Sequence, residues 1–220
     1  MKVSIVIPSY NNYALLHQLL MDIYKKCPDV YEVIVIDDNS SEEGMFEGLQ
    51  WWIKHTTLPV SVKRKTVNEG FLITSNKGLK QASGDVVILI STDVRIYNNL
   101  SAVVSDWFID RPKSLLGGTL YTESTGWNEF DGKVFPYVEG YLLATTYDGW
   151  RDLGFFDERY APNDFEDIDL STTAVSLGYS LHSFLPTTIK HIGAQSIPYG
   201  AERQELTERN REKFRAKWIK

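Results

Sequence analysis

The sequence predicts an α/β fold: a doubly wound domain with a mainly parallel central sheet flanked by helices and a mixed second half. Three observations predict it. Through the first 90 residues, short apolar or β-branched runs alternate with helical patterns, which is the signature of βαβ units. The predicted strands end in polar or acidic residues that would share one rim, where open α/β sheets bind ligands. Beyond Asp93 the segments become shorter, Gly-punctuated and aromatic-rich, with no Pro/Ser/Gly-rich linker, so the second half is expected to share the same sheet.

The elements follow in order. "VSIVIP" is a β-branched run and predicts a buried first strand. Asn12 stands where it can cap a helix whose Leu15, Leu16, Leu19, Leu20 and Ile23 recur at helical spacing. "EVIVID" is the second strand. Ser40 and Glu43 have the spacing of a capping box, opening a helix with Phe46, Leu49, Trp52 and Ile53. "VSVKRKT" gives a third strand, "FLITSNKGLKQA" a third helix ended by Ser83 and Gly84, and "DVVILI" a fourth strand. A helix carrying Leu100, Val103, Val104, Trp107 and Phe108 stops at Pro112. The tail from Glu202 holds seven Lys or Arg and four Glu, and predicts a solvated terminal helix.

A chain of 220 residues suits one domain and can bury a substantial core. The net charge of -6, with a pI near 5.3, argues against a general nucleic-acid binder. Cys27 is the only cysteine, which excludes an intramolecular disulfide and a cysteine-rich zinc site and fits a reducing compartment. The apolar run in "MKVSIVIPSY" is too short for a signal-peptide core or a spanning helix. The expectation is a soluble, cytoplasmic protein with no transmembrane segment; peripheral membrane contact stays open.

Four carboxylates, Asp164, Glu166, Asp167 and Asp169, fall within "NDFEDID". Acids in a first helical turn gain roughly 0.3–1 kcal/mol each from the helix dipole, which explains one or two of them. The set also fits a general base or a metal site. The three strand ends "PSYNN", "DDNSS" and "STDVRIY" bring an aromatic face and carboxylates to one crevice, although Asp37, Asp38 and Asn39 singly read as turn and cap residues. Neither G-x-G-x-x-G nor a Walker-type G-x-x-x-x-G-K-S/T occurs, so the usual dinucleotide and P-loop readings fail.

"VSIVIPSYNN", "EVIVIDDNSS", "NEGFLITSNKGLKQASGDVVILISTD" and "GFFDERYAPNDFEDIDL…GYSLHSFLPTTIKHIG" resemble, in order and spacing, the family 2 glycosyltransferases of the GT-A fold. The similarity spans about residues 2 to 196. It implies a nucleotide-sugar-binding half (residues 1–95), an acceptor and catalytic half (96–200) and a helical tail (201–220). Pro8, Tyr10 and Asp38 match positions that hold the donor's base and ribose, and Asn11 and Thr92 at the same strand ends join the donor-binding set. Asn68, Gly70 and Asn76 sit in the segment matching the lining of the donor pocket. Asp93 matches the family's D-x-D metal motif, and His191 a histidine near the metal or diphosphate. Asp167 matches the general base, with Glu166 beside it. In the acceptor-facing region Glu139 and Gly140 would begin a strand, "DGWRDLG" reads as a helix, and Trp127, Tyr137, Tyr141 and Trp150 are either sugar-stacking or core aromatics.

The implied activity is that of an inverting hexosyl- or deoxyhexosyltransferase moving a sugar from a nucleoside-diphosphate-sugar donor to a glycan, lipid-linked or protein hydroxyl. Mn2+ or Mg2+ would neutralise the diphosphate leaving group, and a carboxylate would deprotonate the acceptor. Inversion is expected because no enzyme nucleophile is paired with the single base. The sequence departs from the family in offering one acid, Asp93, where two often flank one residue. That thinned motif motivates an alternative: a non-catalytic nucleotide-sugar or glycan-binding module. A sugar-1-phosphate nucleotidyltransferase would need a Gly-rich, basic loop after the first strand, and "PSYNNYA" is not one.

Overall fold

The computed structural model describes residues 1–193 and 200–219. Residues 194–199, assigned by sequence to the acceptor half, and Lys220 lie outside the described residues. The first half runs β1 (Val3–Ser9), α1 (Tyr13–Lys26), β2 (Glu32–Asp37), α2 (Met45–His55), β3 (Val60–Arg64), α3 (Phe71–Leu79) and β4 (Val86–Ile90). There follow β5 (Val94–Ile96), α4 (Leu100–Asp110), β6 (Ser114–Gly117), and the two-residue strands β7 (Leu120–Tyr121), β8 (Glu129–Phe130), β9 (Lys133–Val134) and β10 (Tyr137–Val138). The chain ends with β11 (Leu142–Thr146), α5 (Tyr147–Leu153), α6 (Glu166–Ser176), β12 (Ser180–Ser183), β13 (Ile189–His191) and α7 (Ala201–Trp218).

Seven strands form one sheet in the order β12-β6-β11-β4-β1-β2-β3. β3, β2, β1 and β4 are mutually parallel, whereas β11 runs antiparallel to both β4 and β6. Strands of the second half therefore extend the same sheet. Alternate residues of β1 enter different layers: Ile5 and Ile7 pack with Leu16, Leu19, Leu49, Trp52 and Phe108, and Val6 packs with Leu72, Leu79, Trp150 and Phe214. Burial on both faces is why these strands read as unbroken apolar runs.

Three local expectations are corrected. Asn12 stands at the N-cap of α1 but has a left-handed backbone (φ 58°), and its side chain caps nothing. Asn11 does the holding instead: its Oδ1 accepts from the N–H groups of Ser41 (2.9 Å) and Glu42 (3.1 Å), while the Glu42 carboxylate accepts from Tyr13 N–H. No Ser40–Glu43 capping box forms, because α2 opens after Gly44, and the Ser40 hydroxyl accepts from Asn11 N–H at 2.7 Å. The β1–α1 and β2–α2 loops thus cap each other. The third correction is α7, which is docked rather than solvated: Asn210 and Phe214 are fully buried, and Lys217 and Trp218 Nε1 donate to Asp169.

Candidate active site

The carboxyl ends of β1, β2 and β4 meet as expected for a ligand rim. Asp38 N–H donates to the Ser9 carbonyl (2.7 Å), joining β1 to β2. Past β4, Ser91 N–H donates to the Tyr141 carbonyl (2.8 Å), so the residues entering β11 arrive at the same rim. Antiparallel pairing of β11 with β4 requires this: the exit of one strand faces the entry of the other.

Asp93 is buried, and the Nε2 of His191 lies 3.2 Å from its Oδ2. The two are brought together by β5 and β13, with His191 opposite Val94 and Ile192 N–H donating to the Asp93 carbonyl. Tyr141 lies flat against the His191 imidazole, with centroids 4.1 Å apart and planes at 15°. An oxygen and a nitrogen at 3.2 Å fit two adjacent positions around a small dication, whose ligand distances of about 2.1 Å imply an edge near 3 Å. The donor set is thin, however: among the described residues no group of three His, Cys, Asp or Glu converges on one point. The residues fit a metal only if its remaining ligands come from the diphosphate and water.

The other carboxylates lie at the start of α6. Asp167 Oδ2 accepts from Gly140 N–H (3.2 Å) and Oδ1 from Ile168 N–H (2.8 Å). Burial pushes its carboxyl up to about 6; the two N–H donors oppose that rise and the Glu139 charge adds to it. Glu166 is buried, its Oε2 has no hydrogen-bond partner, and burial together with the neighbouring Asp167 drives its carboxyl well above the usual range. Burial thus raises both adjacent acids, and the Asp167 charge raises Glu166 further. Gly140 allows the close approach: a Cβ there would lie 3.2 Å from the Asp167 Cβ, so one of the two would have to shift by a few tenths of an ångström. Asp164 and Asp169 are engaged elsewhere, by Arg203 and Thr207 and by Tyr160, Lys217 and Trp218 respectively.

The residues expected to hold a donor divide. Tyr10 is half exposed at the rim, Thr92 is partly exposed beside Asp93, and Pro8 is buried within β1. Asp38 is buried and both oxygens are engaged: Lys65 Nζ (2.5 Å) and Glu69 N–H reach Oδ1, and Gly70 N–H reaches Oδ2 (2.8 Å). It therefore shapes the 65–70 loop. Asn68 accepts from Gly70 N–H. Gly70, at φ 85°, presses on Pro162, where an added Cβ would meet the Pro162 Cβ at 2.5 Å, so the 65–70 loop abuts the segment leading to Glu166. Asn76 does not line an open pocket: it is buried, exchanging hydrogen bonds with Phe156 N–H and C=O and donating to Glu158. Of the aromatics, Trp150 is core, its Nε1 bonded to the Val87 carbonyl; Tyr137 stacks on Tyr121 and is buried; Trp127 is exposed. Glu139 and Gly140 precede β11, which begins at Leu142.

A comparison with protein families matches residues 4–162 to Glycosyl transferase family 2. The chain belongs to that family. Among curated family relatives, a dolichol-phosphate mannosyltransferase of Pyrococcus furiosus is 33% identical over 96 residues, 43% of this chain and 26% of that protein. An undecaprenyl-phosphate 4-deoxy-4-formamido-L-arabinose transferase of Proteus mirabilis is 34% identical over 99 residues, covering 43% and 29%. The chain spans well under half the length of either. Among solved structures, mannosyltransferase PcManGT from Pyrobaculum calidifontis, in complex with GDP-Man and Mn2+, superposes with a TM-score of 0.69 at 19% identity, over 89% of this chain and 58% of that one. GalNAc-T7 with UDP, GalNAc and Mn2+ gives 0.73 at 19% identity, over 90% and 45%. These superpositions establish the GT-A fold.

The family 2 match ends at residue 162, short of Glu166, Asp167 and His191, so the placement of those three rests on the geometry above. The sequence names Gly140 and Tyr141 only as a strand start and a candidate aromatic, and the contacts they make here escaped it, as did any role for Lys65. Gly140 supplies the N–H that fixes Asp167, and Tyr141 packs on His191; the only local signal was a Gly beside an aromatic. Lys65 was missed because its partner Asp38 is 27 residues away.

Proposed function

We propose that this chain is an inverting glycosyltransferase that moves a sugar from a nucleoside-diphosphate-sugar donor to a hydroxyl acceptor. The observation that carries the reading is the Gly140–Tyr141 dipeptide, whose N–H at Gly140 binds Asp167 and whose ring at Tyr141 stacks on His191, the partner of Asp93. One rigid two-residue segment therefore ties an acid that can accept a proton to an acid that can face a diphosphate.

In this reading Asp167 takes the acceptor O–H proton as the acceptor oxygen bonds to the anomeric carbon. The bond from that carbon to the diphosphate oxygen breaks on the opposite face, and the electron pair leaves with the nucleoside diphosphate. A base near 6 is mostly ionised at neutral pH yet basic enough to act. Asp93 and His191 would hold Mn2+ or Mg2+, which would neutralise charge on the departing diphosphate. Glu166, buried with its Oε2 unpartnered, would stand directly beside that base. Tyr10, Asn11, Asp38, Asn68, Gly70 and Thr92 would form or shape the donor pocket, with Asn76 supporting it from behind. Two relatives, each aligned over 43% of this chain, are named for polyprenyl-phosphate acceptors, whose attacking atom is a phosphate oxygen, so a lipid-linked acceptor stands beside a glycan or protein hydroxyl. No helix among the described residues is long and apolar enough to cross a membrane.

The thin donor set supports the second reading, a module that binds sugar nucleotides without turnover. Thermal unfolding with UDP, GDP, TDP, CDP and ADP, each with and without Mn2+, followed by diphosphate release from the matching sugar nucleotide, separates the two. A bound ligand at a hundredfold excess over Kd adds about 2.7 kcal/mol. Metal-dependent stabilisation with turnover supports the transferase; stabilisation without turnover on any acceptor supports the module; no stabilisation by any nucleotide refutes both.

A further inference from the structure

We propose that α7 is the positioning element for the Glu166–Asp167 pair, with Asn210 as its central residue. The inference rests on the reading of Asp167 as the base. It lies beyond the family match, which ends before α6 and α7 begin.

The backbone entering α6 is unfavourable by itself. Asp164 and Phe165 are consecutive non-glycine residues in the left-handed region, at φ 71° and 73°. Such a pair persists only where its surroundings fix it. Asn210 provides that: it is fully buried, and the two N–H groups of its Nδ2 reach the carbonyls of Tyr160 (2.8 Å), Asn163 (2.8 Å) and Asp164 (3.0 Å), one N–H being shared between two of them. One amide thus gathers three carbonyls of the segment 160–164, groups that need partners when buried.

Around it, α7 grips the same segment on both sides of Asp167. Ahead of it, the Asp164 carboxylate accepts from Arg203 Nη2 (3.0 Å) and the Thr207 hydroxyl (2.7 Å). Behind it, Asp169 accepts from Lys217 Nζ and Trp218 Nε1, each at 2.7 Å. Between them, Phe165 packs on the buried Phe214 ring, with centroids 5.9 Å apart. Asp167 itself takes no hydrogen bond from α7; its partners are Gly140 and Ile168. The helix acts on the base through the backbone that carries it. This also explains why a helix so charged is docked at all: its cations answer the acids that flank the pair.

The test uses the whole chain. Thr207→Val removes one hydroxyl and keeps the shape, Thr207→Ser restores it, and Asn210→Ala removes the central amide. Amide hydrogen exchange across 160–167 is expected to rise at least tenfold in Asn210→Ala and less in Thr207→Val, with β1, β2 and β4 unchanged. Diphosphate release from GDP-mannose or UDP-GlcNAc, whichever the nucleotide screen selects, is expected to lose at least tenfold in kcat with donor KM within twofold, and Thr207→Ser to recover it. Unchanged exchange at 160–167 in both variants, or loosened exchange with kcat intact, overturns the proposal. If Asn210→Ala does not fold, the Thr207 pair decides. A wild-type protein that releases no diphosphate overturns the transferase reading instead, and the exchange data then judge the clamp by themselves.

Discussion

Asp167→Asn removes a base with almost no change in volume. With its carboxyl near 6, Asp167 is about 90% ionised at pH 7 and about 10% at pH 5, so wild-type turnover is expected to fall about tenfold between them, along a limb of unit slope. The variant has no such limb and is expected to lose about 10²–10⁴-fold in kcat, the worth of a positioned base. Donor affinity should persist, because the Asp167 hydrogen bonds run to Gly140 and Ile168 of its own chain. Stability supplies an independent check. The folded-state value lies above the free value of 3.8, so the folded protein binds the extra proton between about pH 4 and 6. This group's contribution to stability is complete below about pH 4 and is lost as pH rises through 6. Asn cannot titrate, so the Tm of the variant minus that of the wild type should grow from pH 4 to pH 8. The amide can accept from one N–H but not both, which offsets the gain by about 1 kcal/mol. A stopped assay of diphosphate release over pH 4.5–8.5, with calorimetry at matched pH, measures both. A flat wild-type profile, or a variant retaining more than about a tenth of turnover, refutes the assignment.

Asp93→Ala is expected to abolish the Mn2+-dependent part of nucleoside-diphosphate stabilisation and leave any metal-independent part; equal Mn2+ dependence in variant and wild type would remove Asp93 from the metal set. Gly140→Ala places a methyl 3.2 Å from the Asp167 Cβ. Since a 1 Å misplacement can cost about a hundredfold, a shift of a few tenths should lower kcat several-fold with donor KM unchanged, read by steady-state kinetics. Asn76→Ala leaves Phe156 N–H and C=O unpaired in the interior, and is expected to destabilise by about 2–4 kcal/mol in urea denaturation; a loss of donor affinity at unchanged stability would return Asn76 to the pocket lining.

What the sequence made legible was whatever depends on near neighbours. β1, β2 and β4 announce themselves because burial on both faces leaves no polar alternation to confuse. α4 does so through its apolar spacing and the Pro at its end. Asn12 and Ser40 misled for a physical reason: each has the right side chain for a local cap, but the competing partner lies across two loops, 29 residues away in the case of Ser40 and Asn11. The tail misled in the same way. Its Lys and Arg look like a solvated face until Asp164, 39 residues before Arg203, and Asp169, 48 before Lys217, are folded against them. The candidate base was visible as a carboxylate in an acidic run; that Asp167 and not Asp169 faces Gly140 depends on helical register and on the partners taken by Asp169, neither of which a linear motif records.

The excursion between β6 and β11 leaves and returns through one narrow neck, where Gly118 N–H meets the Glu139 carbonyl (3.2 Å) and Glu139 N–H the Thr119 carbonyl (2.9 Å). Doubling the length of a flexible loop closed in this way adds only about 0.6 kcal/mol. Residues 120–138 nevertheless do not hang free of the domain: Phe130 and Phe135 pack on Phe214 of α7, and Val138 N–H donates to the Ser171 hydroxyl of α6, so the length that can drift is confined to the exposed stretches 122–127 and 131–133 while Gly140 and Tyr141 keep their address.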